Sequence, residues 1–285
     1  MIPSAFKYQR AASIDQAIAT LASDPEAKLL LGGHSLIPLM KLRLARPSQV
    51  VDVSSIPELR TTQFEADSIR VGAGVRYHEI LADGRLDDLM PLLSQTVAVI
   101  ADPQVRHRGT IGGSAAHADP TSDLAAVFLA ADARFVVRGT QGERIIPAAD
   151  WYLAPLVTAL SNDEVLVAVE FSRALPLRQA YVKFAHPASG YALAGVAALL
   201  EVSQDGRVTR AQIGVTGAGV MPFRAREAEA ILEGQPLDVA HVGQACEAGA
   251  ASGEYADDAQ YSAAYRKNLA RVMIGRALEK VAADK

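Results

Sequence analysis

The hydrophobic pattern of the first 175 residues alternates between helical and extended spacing. Apolar residues at positions 14, 17, 18 and 21 share one face of a helix, and Ser13 stands where its side chain can cap that helix. Short apolar runs between the helical stretches are typical of buried strands. The predicted strands are 27–31, 50–53, 69–75, 133–137, 144–146 and 164–171, and the predicted helices are 37–44, 77–81, 92–100 and 123–131. This alternation favours a small α/β subdomain over about 1–55 and a second over 56–175.

The pattern changes after Pro176. Two long apolar stretches, 192–202 and 208–215, are joined by a segment containing Asp205 and Gly206, a pair that favours a type I′ hairpin turn. Helical spacing then predicts helices over 224–232, 239–251 and 260–281. A sheet followed by a run of helices is typical of an α+β domain.

Length and composition agree with this division. The chain has 285 residues, half of them apolar, so we expect an α+β protein with domains at 1–175 and 176–285. The formal net charge of −4, without a basic stripe, argues against a nucleic-acid partner. The single cysteine, Cys246, excludes an internal disulfide or an iron–sulfur cluster held by this chain alone. Because no apolar run resembles a secretory signal or a transmembrane segment, we expect a cytoplasmic protein.

Two glycine-rich segments carry the strongest functional signal. Residues 31–36 and 110–114 each place a glycine pair beside a hydroxyl residue, next to an apolar run. Glycine lets the backbone approach an anion, and successive N–H groups can form a concave nest that Ser and Thr hydroxyls extend. A glycine pair is also common in tight turns that bind nothing. Two such segments facing one pocket would suit a diphosphate.

Polar residues around the second segment extend this candidate site. Residues 103–108 and 118–123 form a long polar stretch inside an apolar domain, and long structured loops tend to be functional. Asp123 can cap the following helix or accept a hydrogen bond from a sugar or polyol hydroxyl. Tyr191 can belong to the core or stack on a flat heterocycle.

Other binding and catalytic motifs are missing from the sequence. No complete dinucleotide fingerprint or P-loop occurs, and the six histidines lack metal-ligand spacing. No Ser/His/Asp or Cys/His arrangement can be defended either. The chain offers groups that hold a ligand but no catalytic side chain, which is typical of a protein whose cofactor does the chemistry.

Residues 31–38, 100–105 and 110–114 closely resemble the corresponding segments of a known family. This family comprises the FAD-binding medium subunits of the molybdenum hydroxylases (the xanthine oxidase family), and the carbon monoxide dehydrogenase type is nearest. The resemblance covers nearly the whole chain. It implies a vanillyl-alcohol-oxidase/PCMH-type FAD-binding domain of two α/β subdomains, followed by a C-terminal domain with a three-stranded antiparallel sheet and a helical bundle.

The resemblance also implies that FAD binds noncovalently, with its diphosphate between the two glycine segments. Asp123 would bind a flavin-side hydroxyl, Ile100 would pack near the ring system, and Tyr191 would lie beside the isoalloxazine. Leu166 and Lys183 would line the flavin site. The implied cofactor-binding residues are Leu31, Gly32, Gly33, His34, Ser35, Leu36, Ile100, Thr110, Ile111, Gly112, Gly113, Ser114, Asp123, Leu166, Lys183 and Tyr191.

Partner subunits follow from the same resemblance. A large subunit would hold a molybdenum–pterin cofactor and oxidise the substrate, which in this family is carbon monoxide, an N-heteroaromatic compound, an aldehyde or a purine. A small subunit would carry two [2Fe-2S] clusters that pass electrons to this FAD, and the flavin would hand them to an external acceptor. The heterotrimer is usually doubled into a heterohexamer.

Three positions depart from the family pattern. Ser114 replaces a frequent asparagine, His117 and Ala118 replace an expected Asn-Gly pair, and Gly190 stands where an acidic residue often precedes the tyrosine. Two other hypotheses stay open at this point. The chain could be a self-contained FAD-dependent oxidoreductase of the same fold, or a scaffold that has lost its flavin.

Overall fold

The computed structural model describes residues 2–176 and 178–283, which form strands and helices in mixed order. The strands are β1 Lys7–Arg10, β2 Lys28–Leu30, β3 Gln49–Asp52, β4 Thr62–Phe64, β5 Ser68–Gly72, β6 Arg134–Gly139, β7 Gly142–Pro147, β8 Tyr152–Ala154, β9 Val157–Thr158, β10 Val165–Ser172, β11 Arg178–Ala185, β12 Ala192–Val202, β13 Val208–Thr216 and β14 Phe223–Arg224. The helices are α1 Ile14–Ser23, α2 Leu36–Lys41, α3 Tyr77–Ala82, α4 Gly84–Leu89, α5 Pro91–Ala98, α6 Pro103–Arg106, α7 Ile111–His117, α8 Asp123–Ala130, α9 Arg226–Leu232, α10 Val239–Ala251 and α11 Ala263–Ala283.

The N-terminal unit is a parallel sheet in the order β1-β3-β2, covered by α1. Ser13 Oγ accepts the N–H of Gln16 at 3.1 Å, which starts α1 where the sequence predicted. The buried residues of α1 share a core with Val165 and Val167 of β10. This unit is therefore packed against the back of the next sheet.

The second sheet is antiparallel, in the order β4-β5-β10-β6-β7. Its β6–β7 hairpin confirms the strand pair that the sequence predicted around residues 133–146. Helix α8 is buried along its whole length between this sheet and the C-terminal sheet. Phe128 of α8 lies 5.2 Å from Phe135 and 6.2 Å from Phe171, measured between ring centroids. This aromatic contact joins the helix to β6 and β10.

The C-terminal sheet has the order β11-β12-β13-β14, with α9, α10 and α11 on one face and α8 on the other. Gly206 in the β12–β13 turn has φ of +81°, but Asp205 is not in the left-handed region, so the predicted type I′ turn is wrong. The Gly206 N–H donates to the carbonyl oxygen of Ser203 at 3.0 Å, which places the turn one residue earlier. A Cβ on Gly214 of β13 would overlap the carbonyl oxygen of Ala126, so glycine allows α8 to pack closely here. The two-residue strand β14 is a fourth strand beside the three that the family resemblance implies.

The edge strand β11 is held in place by side chains from two helices. Gln95 of α5 accepts the N–H of Tyr181 at 3.2 Å and donates to the carbonyl oxygen of Gln179 at 3.3 Å. Lys280 of α11 donates to the carbonyl oxygen of Tyr181 at 3.0 Å. These bonds satisfy the open edge of the sheet and fix the position of the strand.

Residues on both sides of the predicted domain boundary share one core. The largest hydrophobic cluster contains most of α8 together with Tyr181, Ala197 and Leu199 of the C-terminal sheet. The division at residue 175, and the subdomain limit near 55, stay predictions. Within the described ranges 2–176 and 178–283, no helix is long and apolar enough to cross a bilayer.

The single tryptophan links this core to α7. Trp151 is fully buried, lies 4.1 Å from Phe135 between ring centroids, and donates from Nε1 to the carbonyl oxygen of Ala115 at 2.9 Å. We expect Trp151→Phe to lower the free energy of unfolding by about 1–3 kcal/mol, because a buried carbonyl loses its donor. Urea unfolding followed by far-UV circular dichroism measures this loss. Unchanged stability would mean that the hydrogen bond does not stabilise the fold.

Candidate functional site

A cleft of about 1100 Å³ lies where the N-terminal unit, the second sheet and the C-terminal sheet meet. Its walls come from residues 27–36 around the end of β2, from the starts of α7 and α8, from residues 156–166, and from β11 with the turn before β12. This volume slightly exceeds the range of about 300–1,000 Å³ that is usual for small-molecule sites.

The first glycine segment presents free backbone donors to this cleft. Gly33 has φ of +83°, and a Cβ on Gly32 would lie 2.5 Å from the carbonyl oxygen of Arg108, so both positions require glycine. Among residues 2–176 and 178–283, no protein acceptor bonds the N–H groups of Gly32, Gly33, His34 and Ser35. Successive free N–H groups at the wall of a cleft are suited to an anion such as phosphate.

The second glycine segment is the first turn of α7, not the loop that we predicted. Thr110 caps the helix, and its Oγ1 accepts the N–H of Gly113 at 3.0 Å. The N–H groups of Ile111 and Gly112 donate to carbonyl oxygens of residues 73–75, at 3.1 and 2.9 Å. Because these N–H groups are already bonded, the expectation of a second backbone nest is wrong. This segment offers side-chain hydroxyls instead.

The two glycines of this turn are required for different reasons. A Cβ on Gly112 would come within 2.6 Å of Ala73 Cα, so this glycine permits α7 to pack on the segment that follows β5. A Cβ on Gly113 would approach only the Thr110 hydroxyl, at 2.8 Å, and Gly113 lines the cleft. Gly112 is therefore a packing residue, whereas Gly113 keeps the cleft wall free of a side chain.

Hydroxyl groups surround the start of α7. The Oγ atoms of Ser114 and Ser122 lie 2.7 Å apart, and both residues line the cleft. Burial raises the pKa of the nearby Tyr77 phenol to about 12, although the Ser114 hydroxyl acts in the opposite direction. The tyrosine is therefore protonated at neutral pH. These groups form a wall of uncharged hydrogen-bonding partners.

Asp123 is the most deeply buried charge in the cleft. Its Oδ1 accepts the hydroxyl of Tyr181 at 2.6 Å, and its Oδ2 accepts Lys183 Nζ at 2.9 Å. Lys183 also donates to the carbonyl oxygen of Val99 at 3.2 Å. The side chains of Asp123 and Lys183 are only 5% and 7% exposed. Since Ser122 occupies the N-cap position of α8, the alternative that Asp123 caps this helix is wrong.

Burial and neighbouring charges also shift the pKa values of Asp123 and of the tyrosines near it. Burial raises the pKa of Asp123, while the Lys183 ammonium and the Tyr181 hydroxyl act in the opposite direction. Burial, followed by the charge of Asp123, raises the pKa of Tyr181 well above its usual value. The pKa of the half-buried Tyr191 is raised by burial and then by the charges of Asp119 and Asp123. Both tyrosines are therefore neutral hydrogen-bond donors at physiological pH.

The cofactor-binding residues that we predicted meet in this cleft, with one exception. Leu31 to Leu36, Ile100, Thr110, Gly112 to Ser114, Asp123, Leu166, Lys183 and Tyr191 all line it. Ile111 does not, because its side chain is fully buried in the largest hydrophobic cluster. Ile111, the first residue of α7, anchors this helix in the core behind the cleft wall.

Sequence reasoning missed one part of the cleft lining and one residue that bonds to Asp123 behind it. Residues 156–162, which include β9, supply apolar and polar lining, and no motif marks them. Tyr181 was also missed, although it lies two positions before Lys183 and alternation along a strand places both on one face. Recognising β11 would have revealed it. In the part of the chain that the structure describes, no three His, Cys, Asp or Glu residues are grouped to hold a metal ion.

Two family models together match most of the chain. The model described as "FAD binding domain in molybdopterin dehydrogenase" matches residues 4–173, and "CO dehydrogenase flavoprotein C-terminal domain" matches residues 179–281. The first alone spans more than half of the chain. The chain therefore carries an FAD-binding domain.

Curated relatives and solved structures match this chain over almost its full length. The carbon monoxide dehydrogenase medium chain of Hydrogenophaga pseudoflava is 35% identical, over 98% of this chain and 97% of that protein. The nicotine 6-hydroxylase medium subunit of Paenarthrobacter nicotinovorans is 35% identical over 96% of both. A structure of the Cu,Mo-CO dehydrogenase has a TM-score of 0.95 at 36% identity, covering 99% of both chains. Quinoline 2-oxidoreductase from Pseudomonas putida 86 has a TM-score of 0.93 at 32% identity, covering 99% of this chain and 98% of that chain.

These matches test whether the chain belongs to the family that its sequence resembles. The fold is the one that the resemblance implies, and the relatives are oxidoreductase subunits. The chain belongs to the family of FAD-binding medium subunits of the molybdenum hydroxylases.

Proposed function

We propose that this chain is the electron-transfer subunit of a heterotrimeric molybdenum hydroxylase. In this proposal it accepts electrons from [2Fe-2S] clusters of a small subunit and passes them to an external acceptor. A separate large subunit with a molybdenum–pterin cofactor oxidises the substrate. The observation that carries the proposal is the cleft, which combines four free N–H groups at residues 32–35 with a buried Asp123–Lys183 pair.

The cleft has donors suited to both the charged and the uncharged parts of FAD. The free N–H groups of residues 32–35 suit the diphosphate, and the hydroxyls of Thr110 and Ser114 add donors nearby. Apolar residues such as Ile100 and Leu166 suit a flat ring. We propose as cofactor-binding residues Leu31, Gly32, Gly33, His34, Ser35, Leu36, Ile100, Thr110, Ile111, Gly112, Gly113, Ser114, Asp123, Leu166, Lys183 and Tyr191, with Ile111 acting only through the position of α7.

Within this proposal the chain binds and shields a cofactor, and needs no acid or base of its own. Bound FAD supplies reversible acceptance of two electrons. The hydroxyl groups at the start of α7 orient the ligand, and the apolar walls exclude water from it. The runner-up, a self-contained FAD-dependent oxidoreductase, requires a substrate pocket beside the flavin with its own catalytic group.

The relatives of this chain belong to enzymes named for different substrates. Relatives at similar identity are named for carbon monoxide, nicotine and 6-hydroxypseudooxynicotine. Such a spread suits a medium subunit that does not contact the substrate. We propose that substrate choice lies in the large subunit, and that the complex is a dimer of heterotrimers. The cytoplasmic location expected from the sequence remains a prediction.

Native purification through a tag on this chain tests the proposal. We expect flavin absorbance together with iron–sulfur absorbance, molybdenum, and two further subunits in equal amounts. Purification from cells that express only this chain is the control, and should give flavin without metals. Substrate oxidation by the chain alone would refute the proposal and favour the self-contained oxidoreductase.

A further inference from the structure

Tyr181 is held rigidly beside the cleft. It is 4% exposed, and its hydroxyl donates to Asp123 Oδ1 at 2.6 Å. Its backbone N–H donates to Gln95, and its carbonyl oxygen accepts from Lys280, at 3.2 and 3.0 Å. Because the backbone is fixed at both polar atoms, the phenol has little freedom to leave the carboxylate.

The neighbouring strand leaves room for this hydroxyl. Gly195 of β12 pairs with Lys183, and a Cβ on Gly195 would overlap the Tyr181 hydroxyl and lie 2.9 Å from Thr216 Cγ2. The φ of Gly195 is not in the left-handed region, so its backbone does not require glycine. The space that the phenol occupies therefore explains why glycine stands here.

The hydroxyl determines how Asp123 and Lys183 interact. With Oδ1 bonded to Tyr181, Oδ2 is the oxygen that pairs with Lys183, at 2.9 Å. An ammonium group has three donors. Lys183 uses one on Asp123 and another on the carbonyl oxygen of Val99, and its side chain lines the cleft. One donor, with its positive charge, is therefore left for a ligand.

We propose that Tyr181 is a positioning residue of the flavin site: by occupying Asp123 Oδ1 it limits the pull of the carboxylate on Lys183 and holds the ammonium at the cleft wall, where it stabilises the reduced flavin. This inference rests on the proposed function, because it takes FAD as the ligand of the cleft. A flavin gains negative charge when it is reduced, so a nearby cation raises its midpoint potential.

Tyr181→Phe keeps the ring and removes only the hydroxyl. We expect the FAD-loaded variant to have a lower midpoint potential than the unaltered chain above neutral pH, because a carboxylate without this donor draws Lys183 away from the flavin. The difference should shrink as the pH falls and Asp123 takes up a proton. Burial already raises the pKa of Asp123, and loss of the phenol donor raises it further, so this change moves to higher pH in the variant.

Few other groups can produce such a pH profile. The titratable groups around Asp123 are Lys183 and Tyr181 of β11, Tyr77 of α3, and Tyr191 just before β12, on which the charge of Asp119 also acts. The pKa of each tyrosine is raised, so all three keep their protons over the range of the experiment. Protonation of Asp123 is then the cause of the pH dependence of the difference in midpoint potential.

The experiment is a spectroelectrochemical titration of the FAD-loaded full chain at several pH values. Tyr255→Phe is the matched control, because it also removes a tyrosine hydroxyl, which is partly buried and donates to the carbonyl oxygen of Ala250 at 2.7 Å. The Tyr255 side chain does not line the cleft. This control should leave the potential unchanged. Gly195→Ala displaces the Tyr181 hydroxyl instead of deleting it, and should shift the potential in the same direction as Tyr181→Phe.

The outcomes distinguish the positioning role of Tyr181 from the binding of FAD itself. A potential and pH profile in FAD-loaded Tyr181→Phe that match those of the unaltered chain would overturn the positioning role. If Tyr181→Phe does not fold, the same result in Gly195→Ala overturns it. Failure of the unaltered chain to bind FAD would instead overturn the proposed function.

Discussion

Replacing Asp123 with alanine is expected to lower the free energy of unfolding by about 3–5 kcal/mol. The substitution leaves the Lys183 ammonium, whose side chain is only 7% exposed, without its partner. It also removes the acceptor of the buried Tyr181 hydroxyl. Thermal and urea unfolding of the apo-protein measure the loss, and FAD affinity should fall as well because the cleft wall is disturbed.

A double variant tests whether the unpaired charge is the cause. Asp123→Ala combined with Lys183→Met removes both charges while keeping apolar volume at position 183. Replacing both members of a buried pair is often close to neutral, so the double variant should regain much of the lost stability. A double variant that is less stable than Asp123→Ala alone would contradict this explanation.

Gly113→Val is expected to abolish retention of FAD while the fold survives. A Cβ at this position meets only the Thr110 hydroxyl, at 2.8 Å, so the added methyl groups extend into the cleft. There they take the space that an approaching diphosphate requires. The purified variant should be colourless, with far-UV circular dichroism like that of the unaltered apo-chain.

Two other glycines make the comparison specific. Gly112→Ala places a Cβ against Ala73, so this smaller substitution should destabilise the fold itself. Gly243 lies on the exposed side of α10, and a Cβ added there has no atom within 4 Å. Gly243→Ala should therefore stabilise the protein by about 1 kcal/mol without affecting FAD binding. Full flavin content in Gly113→Val would show that the diphosphate lies elsewhere.

Local signals in the sequence predicted much of the fold. Ser13 caps α1, and Gly206 takes a positive φ in the β12–β13 turn, because both effects depend on residues that are close in the chain. Strand β11 was missed because its polar residues are buried by partners far away in sequence. Gln179, for example, is 3% exposed and accepts the N–H of Leu92 at 3.1 Å.

Helix α7 was missed for a similar reason. Glycine has a low helix propensity, so a Gly-Gly pair indicates a loop when only the local sequence is considered. In the structure, backbone bonds from Ile111 and Gly112 to residues 73–75 hold the turn in place. Tertiary contacts therefore override the propensity of this segment.

The candidate site could be predicted only where a motif or the family resemblance marked it. The two glycine segments and Asp123 carry recognisable patterns, and they meet in the cleft. The partner of Asp123, Tyr181, is 58 positions away in sequence, and no spacing rule connects the two. Residues 156–162 reach the cleft only because the folded chain passes along it, and they carry no motif.

Titration of the apo-chain with FAD, followed by the fluorescence of the single tryptophan, tests the central claim most directly. Trp151 is bonded to Ala115 of α7, the helix whose first turn lines the cleft, so a flavin bound there should quench its emission. We predict saturable quenching at equimolar FAD, weaker binding of FMN, and no saturable quenching in Gly113→Val. Equal affinity for FAD in Gly113→Val, or no saturable binding by the unaltered chain, would contradict the assignment of this cleft to FAD.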